Sequence, residues 1–373
     1  MSEQKIITNE EEKRDDKSKI YFSFIKKMNF KIIAIVAFVL AITIGLLSFN
    51  FNMFTDVSDI ITTHYSTVTL KKDGTVKIVG KNDKGQCNVE NWTNIVDISA
   101  NYYHTVGLRE DGTVVAVGEN YNGKCNVKNW TDIVDICTSA WHTVGLKKDG
   151  TVVAVGDNDN SQCNVENWTD IITISAPVDR TVGLKKDGTV LAIGENEYGE
   201  CNVESWTNVV DICAVYGRTV GLKKDGTVVA TGLNDEGQCN VANWTDIIAI
   251  YASTWHTIGL KKDGTVVAVG RNLGGQCNVE NWTDIIDISI GDNHTIGLKK
   301  DGTVVAAGRS NFGECDVEKW RDIIDISSNY YHTVGLKKDG TIVATGVNDY
   351  GQCDVERWRS PFWFLRPIIN KLS

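Results

Sequence analysis

Proline is scarce in this chain, with three in 373 residues. Long segments of helical period are missing between residues 56 and 359, which excludes a helical array or bundle there. No C-x-x-C pair occurs among the ten cysteines, so a zinc cluster has no ligand framework and no metal site is expected. No P-loop and no Ser/His/Asp arrangement stands out, and no cofactor is expected. Basic residues are the minority. Residues 56–373 hold 30 Lys/Arg against 42 Asp/Glu, and the whole chain carries −10. That balance argues against a nucleic-acid partner. With 42% hydrophobic residues, a chain of this length can bury a large core.

What the chain does contain is one unit repeated without slippage. Asp-Gly falls at 73, 111, 149, 187, 225, 263, 301 and 339. A Trp falls at 92, 130, 168, 206, 244, 282, 320 and 358, and a Cys at 87, 125, 163, 201, 239, 277, 315 and 353. All three series step by 38, a period that means an array, solenoid or propeller. Within the copy around Asp111, Ile95–Ser99, Thr105–Leu108 and Val114–Val117 are short runs rich in β-branched residues. Asp-Gly joins the second and third runs, a hairpin signal for which a primed turn is expected. The third run is apolar on both faces, Val114 and Ala116 on one and Val115 and Val117 on the other. It therefore needs a neighbour on each side. Small antiparallel sheets packed radially satisfy this, and the fold class is an all-β propeller. Residues 56–359 hold eight complete units, so eight blades are expected, with seven as the rival.

The ends differ. Residues 1–31 form a polar tail of disordered composition. Ile32–Phe49 then runs 18 residues without a charge, which meets the criterion for a membrane span. Lys26, Lys27 and Lys31 precede it, and no Lys or Arg follows until Lys71. The positive-inside rule puts the N-terminus in the cytoplasm, residues 32–54 in the membrane as a single-pass anchor, and the repeats outside the cell. A cleaved signal peptide is the alternative. Residues 360–373 break the period with aromatic and basic residues that suit a ring edge or a membrane interface. The repeated Cys reads as a small buried packing residue, since equivalent points on adjacent blades diverge with radius and disulfides need close Cα atoms.

The framework is nearly invariant and two loops vary. The first, between strands one and two, presents Tyr102, Tyr103, Trp141, Asp179, Tyr216, Trp255, Asp292, Tyr330 and Tyr331. The second, after strand three, presents Tyr121, Asp157, Tyr198, Asp235, Phe312 and Tyr350. Antiparallel alternation puts both on one end of the ring, the top. Tyr and Trp with interspersed acids suit a protein-binding surface. The Asp-Gly turns, preceded by Lys-Lys in seven copies, would form a basic ring at the bottom, facing an anionic bilayer. Five of the six His (His104, His142, His256, His294, His332) precede Thr at one repeat position, which suits a framework role such as bonding a loop carbonyl. Asp179 with Arg180, where the His is replaced, is the one candidate for unique acid–base chemistry. Asn-Trp-Thr at 91, 129, 167, 243 and 281 matches a glycosylation sequon, but the Trp carries the main content, filling the gap between blades.

The unit HTIGLKKDGTVVAVGRN…GQ at 256–276 resembles the regulator of chromosome condensation repeat, and the resemblance covers about 56–359. It implies a propeller, seven-bladed in that family. The short unit is similar to compact bacterial members, which include a propeller-type inhibitor of secreted β-lactamases that binds its target through aromatic loops on one face. By resemblance this supports a protein-binding top. Nucleotide exchange on a small GTPase, known for the eukaryotic founder, needs loop insertions that the strict spacing excludes. The expectation is a membrane-anchored recognition module with a protein partner, not an enzyme. A carbohydrate or cell-wall polymer is the alternative ligand.

Overall fold

The computed structural model describes residues 57–355. These residues form eight three-stranded antiparallel sheets, each paired in chain order. Blade 1 contains Val57–Thr62, Ser66–Lys71 and Val76–Gly80; blade 2 contains Ile95–Ala100, His104–Arg109 and Val114–Gly118; blade 8 ends at Gly346. The ring closes without strand exchange. Thr62 N–H donates to Ser327 Oγ at 2.9 Å, and Thr67 Oγ1 donates to the Gln352 carbonyl at 2.7 Å, joining blade 1 to blade 8. Eight blades are thus observed, and the seven-blade alternative falls. The predicted tail (1–31), anchor (32–54) and C-terminal segment (360–373) lie outside the described residues. Among the described residues no helix is long and apolar enough to cross a membrane.

The Asp-Gly turns are hairpins but not of the expected primed type. Gly74 N–H donates to the Lys71 carbonyl and Lys71 N–H to the Thr75 carbonyl, both at 2.9 Å. Gly74 has φ +75° while Asp73 is absent from the left-handed region. This is a type I turn closed by a glycine bulge. Asp73 prefers it because its carboxylate accepts both Thr75 N–H (2.9 Å) and Thr75 Oγ1–H (2.6 Å), a pairing repeated at Asp111, Asp149 and Asp187.

The core lies between blades, not within one. Val106, Leu108 and Val114 of blade 2 pack with Val127 and Trp130 of the connecting segment and with Ile133 and Ile136 of blade 3. Val115 and Val117, on the other face of the same strand, join the preceding cluster around Trp92. The both-faces pattern in the sequence reports this sharing. Each of the seven repeat tryptophans among the described residues lies over a glycine of the next blade. A β-carbon on Gly145 would meet the Trp130 ring at 2.8 Å, so only glycine fits beneath it.

First strands of neighbouring blades touch, which places them innermost. Their free edges are tied by side chains. Thr138 N–H donates to Ser99 Oγ at 2.9 Å, and Ser328 N–H to Ser289 Oγ at 2.7 Å, each from one blade to the next. Asp135 accepts N–H bonds from Ile136 and from Ile174 of the next blade. Burial first, then the charge of Asp97, pushes the Asp135 carboxyl up to about 6.

The ten cysteines all lie among the described residues and are free thiols. Most are half-buried rather than buried as the packing role predicts, with Cys201 the exception. The reason is polar. Each repeated Cys donates its S–H to a carbonyl six residues earlier, as Cys87 does to Lys81 at 3.1 Å and Cys163 to Asp157 at 3.1 Å. Burial pushes the Cys87 thiol up to about 11, so it stays protonated at neutral pH.

Candidate recognition face

Both variable loops emerge at the same end. Glu119 N–H bonds the Tyr103 carbonyl and Lys81 N–H the Tyr65 carbonyl, which seats the loop after each third strand on the loop before the second. The positions behind these loops are fixed by histidine. His104 Nε2 lies 2.8 Å from Thr143 Oγ1 of the next blade, and His142, His256, His294 and His332 repeat this at 3.0, 2.9, 3.3 and 3.1 Å. Each Thr gives its one hydroxyl proton to a backbone carbonyl, as Thr143 does to Lys124 at 2.8 Å. The imidazole must therefore donate through Nε2–H, and Nδ1 accepts, from Ser139 Oγ for His142 (2.7 Å) and Ser253 Oγ for His256 (2.9 Å). Burial pushes His104 and His256 down to about 3 and His142, His294 and His332 to about 4, so all five are neutral. The expected framework role holds, with a threonine hydroxyl as partner in place of a loop carbonyl.

Arg180 and Arg218 replace His in blades 4 and 5 and do the same task with longer reach. Arg180 donates to the carbonyls of Val215 and Arg218, both at 2.9 Å, and pairs with buried Glu200 at 3.3 Å. Arg218 donates to the carbonyls of Ser253 (2.6 Å) and His256 (3.1 Å). Arg180 is thus an inter-blade tie through its Nη2. Asp179 beside it is half-buried, its carboxyl raised by burial and by Glu195 and Asp157.

Above this layer the structure gathers most of the predicted aromatic residues into one arc over blades 7, 8, 1, 2 and 3. Phe312 meets Tyr331 edge-on at 6.2 Å, and Tyr331 meets Tyr330 at 5.6 Å. Tyr330 stacks on His64 at 4.1 Å. Tyr65 contacts Tyr102 and Tyr350, each at 5.2 Å. Tyr102 meets Tyr103 at 4.5 Å, and Tyr103 meets Trp141 at 5.9 Å. Phe312 and Tyr350 are 57% and 46% exposed, so the arc opens to solvent. The other predicted residues lie elsewhere. Tyr198 and Tyr216 hydrogen-bond to each other beside blades 4 and 5. Trp255 lies under the Arg271 guanidinium at 5.0 Å. Tyr121 is exposed on its own short 3-10 turn. Asp292 departs from the surface expectation. It is buried and accepts hydrogen bonds from Tyr330 and Thr254, so it supports the arc from beneath.

Sequence reasoning does not single out Tyr65, Lys81 or Lys124. Lys124 is wholly buried, donates to Glu119 (3.0 Å) and the Ala140 carbonyl (2.9 Å), and lies over the rings of Tyr103 (4.7 Å) and Trp141 (5.7 Å). The available signal was its position. Gln86, Gln162 and Gln238 stand there in other copies, each accepting a loop N–H at 2.9 Å. Lysine cannot accept, and in that copy the loop becomes the short turn Tyr121–Gly123, with Asn122 at φ 55°.

The bottom end differs from the expected basic ring. Fourteen lysines and Arg109 at the turns face eight turn aspartates, Glu110 and the five aspartates at 132, 170, 246, 284 and 322. Fifteen positive against fourteen negative charges leave no cationic surface there, so bilayer attraction has little basis. The inner rim of that end instead exposes one branched aliphatic residue per blade from blade 2 onward, such as Val96, Val134 and Ile172.

Fold and repeat together define an eight-bladed β-propeller built from head-to-tail 38-residue units. The model of the regulator of chromosome condensation (RCC1) repeat matches five segments of the chain, residues 95–124, 133–162, 209–238, 285–314 and 323–352. No curated protein matches in the sequence comparison. Among solved structures, the chain is similar to the CRINKLY WD40 ectodomain of the Arabidopsis thaliana receptor kinase ACR4, with a TM-score of 0.52 and 18% identity over 69% of this chain and 96% of that one. It is also similar to the entire ectodomain of the Physcomitrella patens receptor kinase CR4, with a TM-score of 0.51 and 16% identity over 68% and 74% of the two chains. At these identities the likeness is one of fold.

Proposed function

We propose that this chain is a recognition module that binds a protein partner through the aromatic arc of its top face, displayed outside the cell on an anchor at residues 32–54. The observation that carries the reading is the arc itself. Residues that differ from copy to copy, on five blades, converge into one continuous run of rings, whereas packing residues repeat around the ring. Large, rigid aromatic side chains give contact area at low entropic cost. Binding is favoured over catalysis because the repeated histidines are neutral and engaged on both ring nitrogens in three blades. The test is capture from surface extracts by the full chain beside a variant with Tyr102, Trp141, Phe312 and Tyr350 changed to Ala. The variant must keep the wild-type melting transition. A protein held by the wild type and lost by the variant supports the reading. Equal capture, or none, sinks it and turns attention to wall polymers.

A further inference from the structure

Lys81 follows the third strand of blade 1, and its ammonium sits among three tyrosines. Nζ lies 4.6 Å from the ring centroid of Tyr102, 5.2 Å from Tyr350 and 5.4 Å from Tyr65. It also donates to the Tyr102 hydroxyl and pairs with Asp83 at 3.4 Å. The two edge-on contacts of Tyr65, with Tyr102 and with Tyr350, hold the three rings around one point. The walls come from blades 1, 2 and 8, and none belongs to the repeated framework. The residue at the Lys81 position is acidic in three other copies, apolar in two and Arg in two. The cage reaches solvent, since the Lys81 side chain is 17% exposed and Asp83 on its rim is 53% exposed.

Electron-rich ring faces converging on a cation are the arrangement by which proteins hold quaternary ammonium groups. The resident here is a primary ammonium, compact and strongly hydrated, on a flexible stem. It needs the Tyr102 hydroxyl and Asp83 to replace its water. A methylated ammonium has few or no N–H groups to satisfy and asks only for ring faces. We infer that the Tyr65/Tyr102/Tyr350 cage is a binding site for a methylated lysine side chain of a protein partner, and that Lys81 is its internal occupant, displaced when the partner binds. This rests on the top-face reading and names the chemistry at its centre. Because Lys81 fills the cage in the free protein, the apparent affinity for the ligand is reduced by the fraction of molecules in which it has swung out.

The test is titration of the full chain with N-acetyl-trimethyllysine amide, phosphocholine and the uncharged isostere 3,3-dimethylbutanol, read by calorimetry. Lys81→Ala should bind the trimethyllysine probe about tenfold more tightly than wild type and about tenfold more tightly than it binds the isostere, the scale of one desolvated cation–π contact. Tyr102→Phe, which keeps the ring and removes the hydroxyl that anchors Lys81, should also strengthen binding, whereas Tyr102→Ala should abolish it. Equal affinity for the isostere, no binding by a folded Lys81→Ala protein, or the same direction of effect from Tyr102→Phe and Tyr102→Ala overturns the assignment. Binding of phosphocholine alone overturns the protein-borne ligand. The titration needs no partner, so it can succeed where capture fails, and its failure leaves the rest of the arc untouched.

Discussion

A β-carbon on Gly183 would lie 2.7 Å from the ring of Trp168, and six other glycine–tryptophan pairs around the ring would meet at 2.7 to 2.9 Å. At the scale of the residue, this pair is what holds one blade to the next. Trp168→Ala should cost about 3–5 kcal/mol in urea unfolding, the range for truncating a buried Trp. Gly183→Ala should also destabilise, because backbone and ring must separate to admit a methyl group. A Gly183→Ala protein as stable as wild type would show that the contact is slack. The tryptophan was legible in the sequence because it recurs at a fixed offset. The glycine was not, because a mid-strand glycine has several possible reasons and its partner belongs to another blade. Blade 1 has Thr69 in that place, and the tryptophan that follows it in phase, Trp358, lies outside the described residues.

Among elements, the histidine–threonine bonds couple folding to pH. The five histidines titrate near 3 to 4 in the folded chain and near 6.5 when unfolded. The unfolded state therefore takes up protons first, and stability falls as pH drops from about 6.5 towards 4. Asp135 and Asp325, raised to about 6 mainly by burial, act the other way, since the folded state gains protons before the unfolded one. Burial raises Asp59, Asp97, Asp179, Asp211 and Asp292 as well, but the five histidines, lowered by two or more units, carry the larger change, so the melting temperature should decline across that window. His256→Gln, which keeps an N–H donor but cannot titrate, should flatten the decline. A flat wild-type profile from pH 7 to 4.5 would contradict the assignment. The sequence showed that histidine repeats before threonine but not that the two bond across a blade boundary, because the partners are 39 residues apart. The Asp-Gly pair likewise announced a hairpin while leaving its turn type open, which the Thr75 hydroxyl settles through Asp73.

For the whole molecule, the blade number followed from the period, while the site was only partly readable. Loop variability located the face and most of its rings. It could not show that Tyr65, Tyr102 and Tyr350 meet around Lys81, because convergence from blades 1, 2 and 8 requires the closed ring. At the seam between blades 8 and 1, Ile60 of blade 1 packs with Val334, Leu336 and Ile342 of blade 8 and with Val355.

In seven blades a histidine or arginine reaches forward to the next unit, with Ser66 at that place in blade 1, so each of them offers one kind of surface ahead and its complement behind. In the language of assemblies this is a heterologous interface whose rotation closes after eight subunits, with covalent linkage added. Any run of whole units then ends in two surfaces that fit each other's copies. Residues 57–208 and 209–359, expressed as separate chains, should therefore find each other and form one ring, seen as a 1:1 complex by size exclusion with light scattering. Two halves that stay apart as folded monomers would show that the covalent link, and not the interface, holds the circle shut.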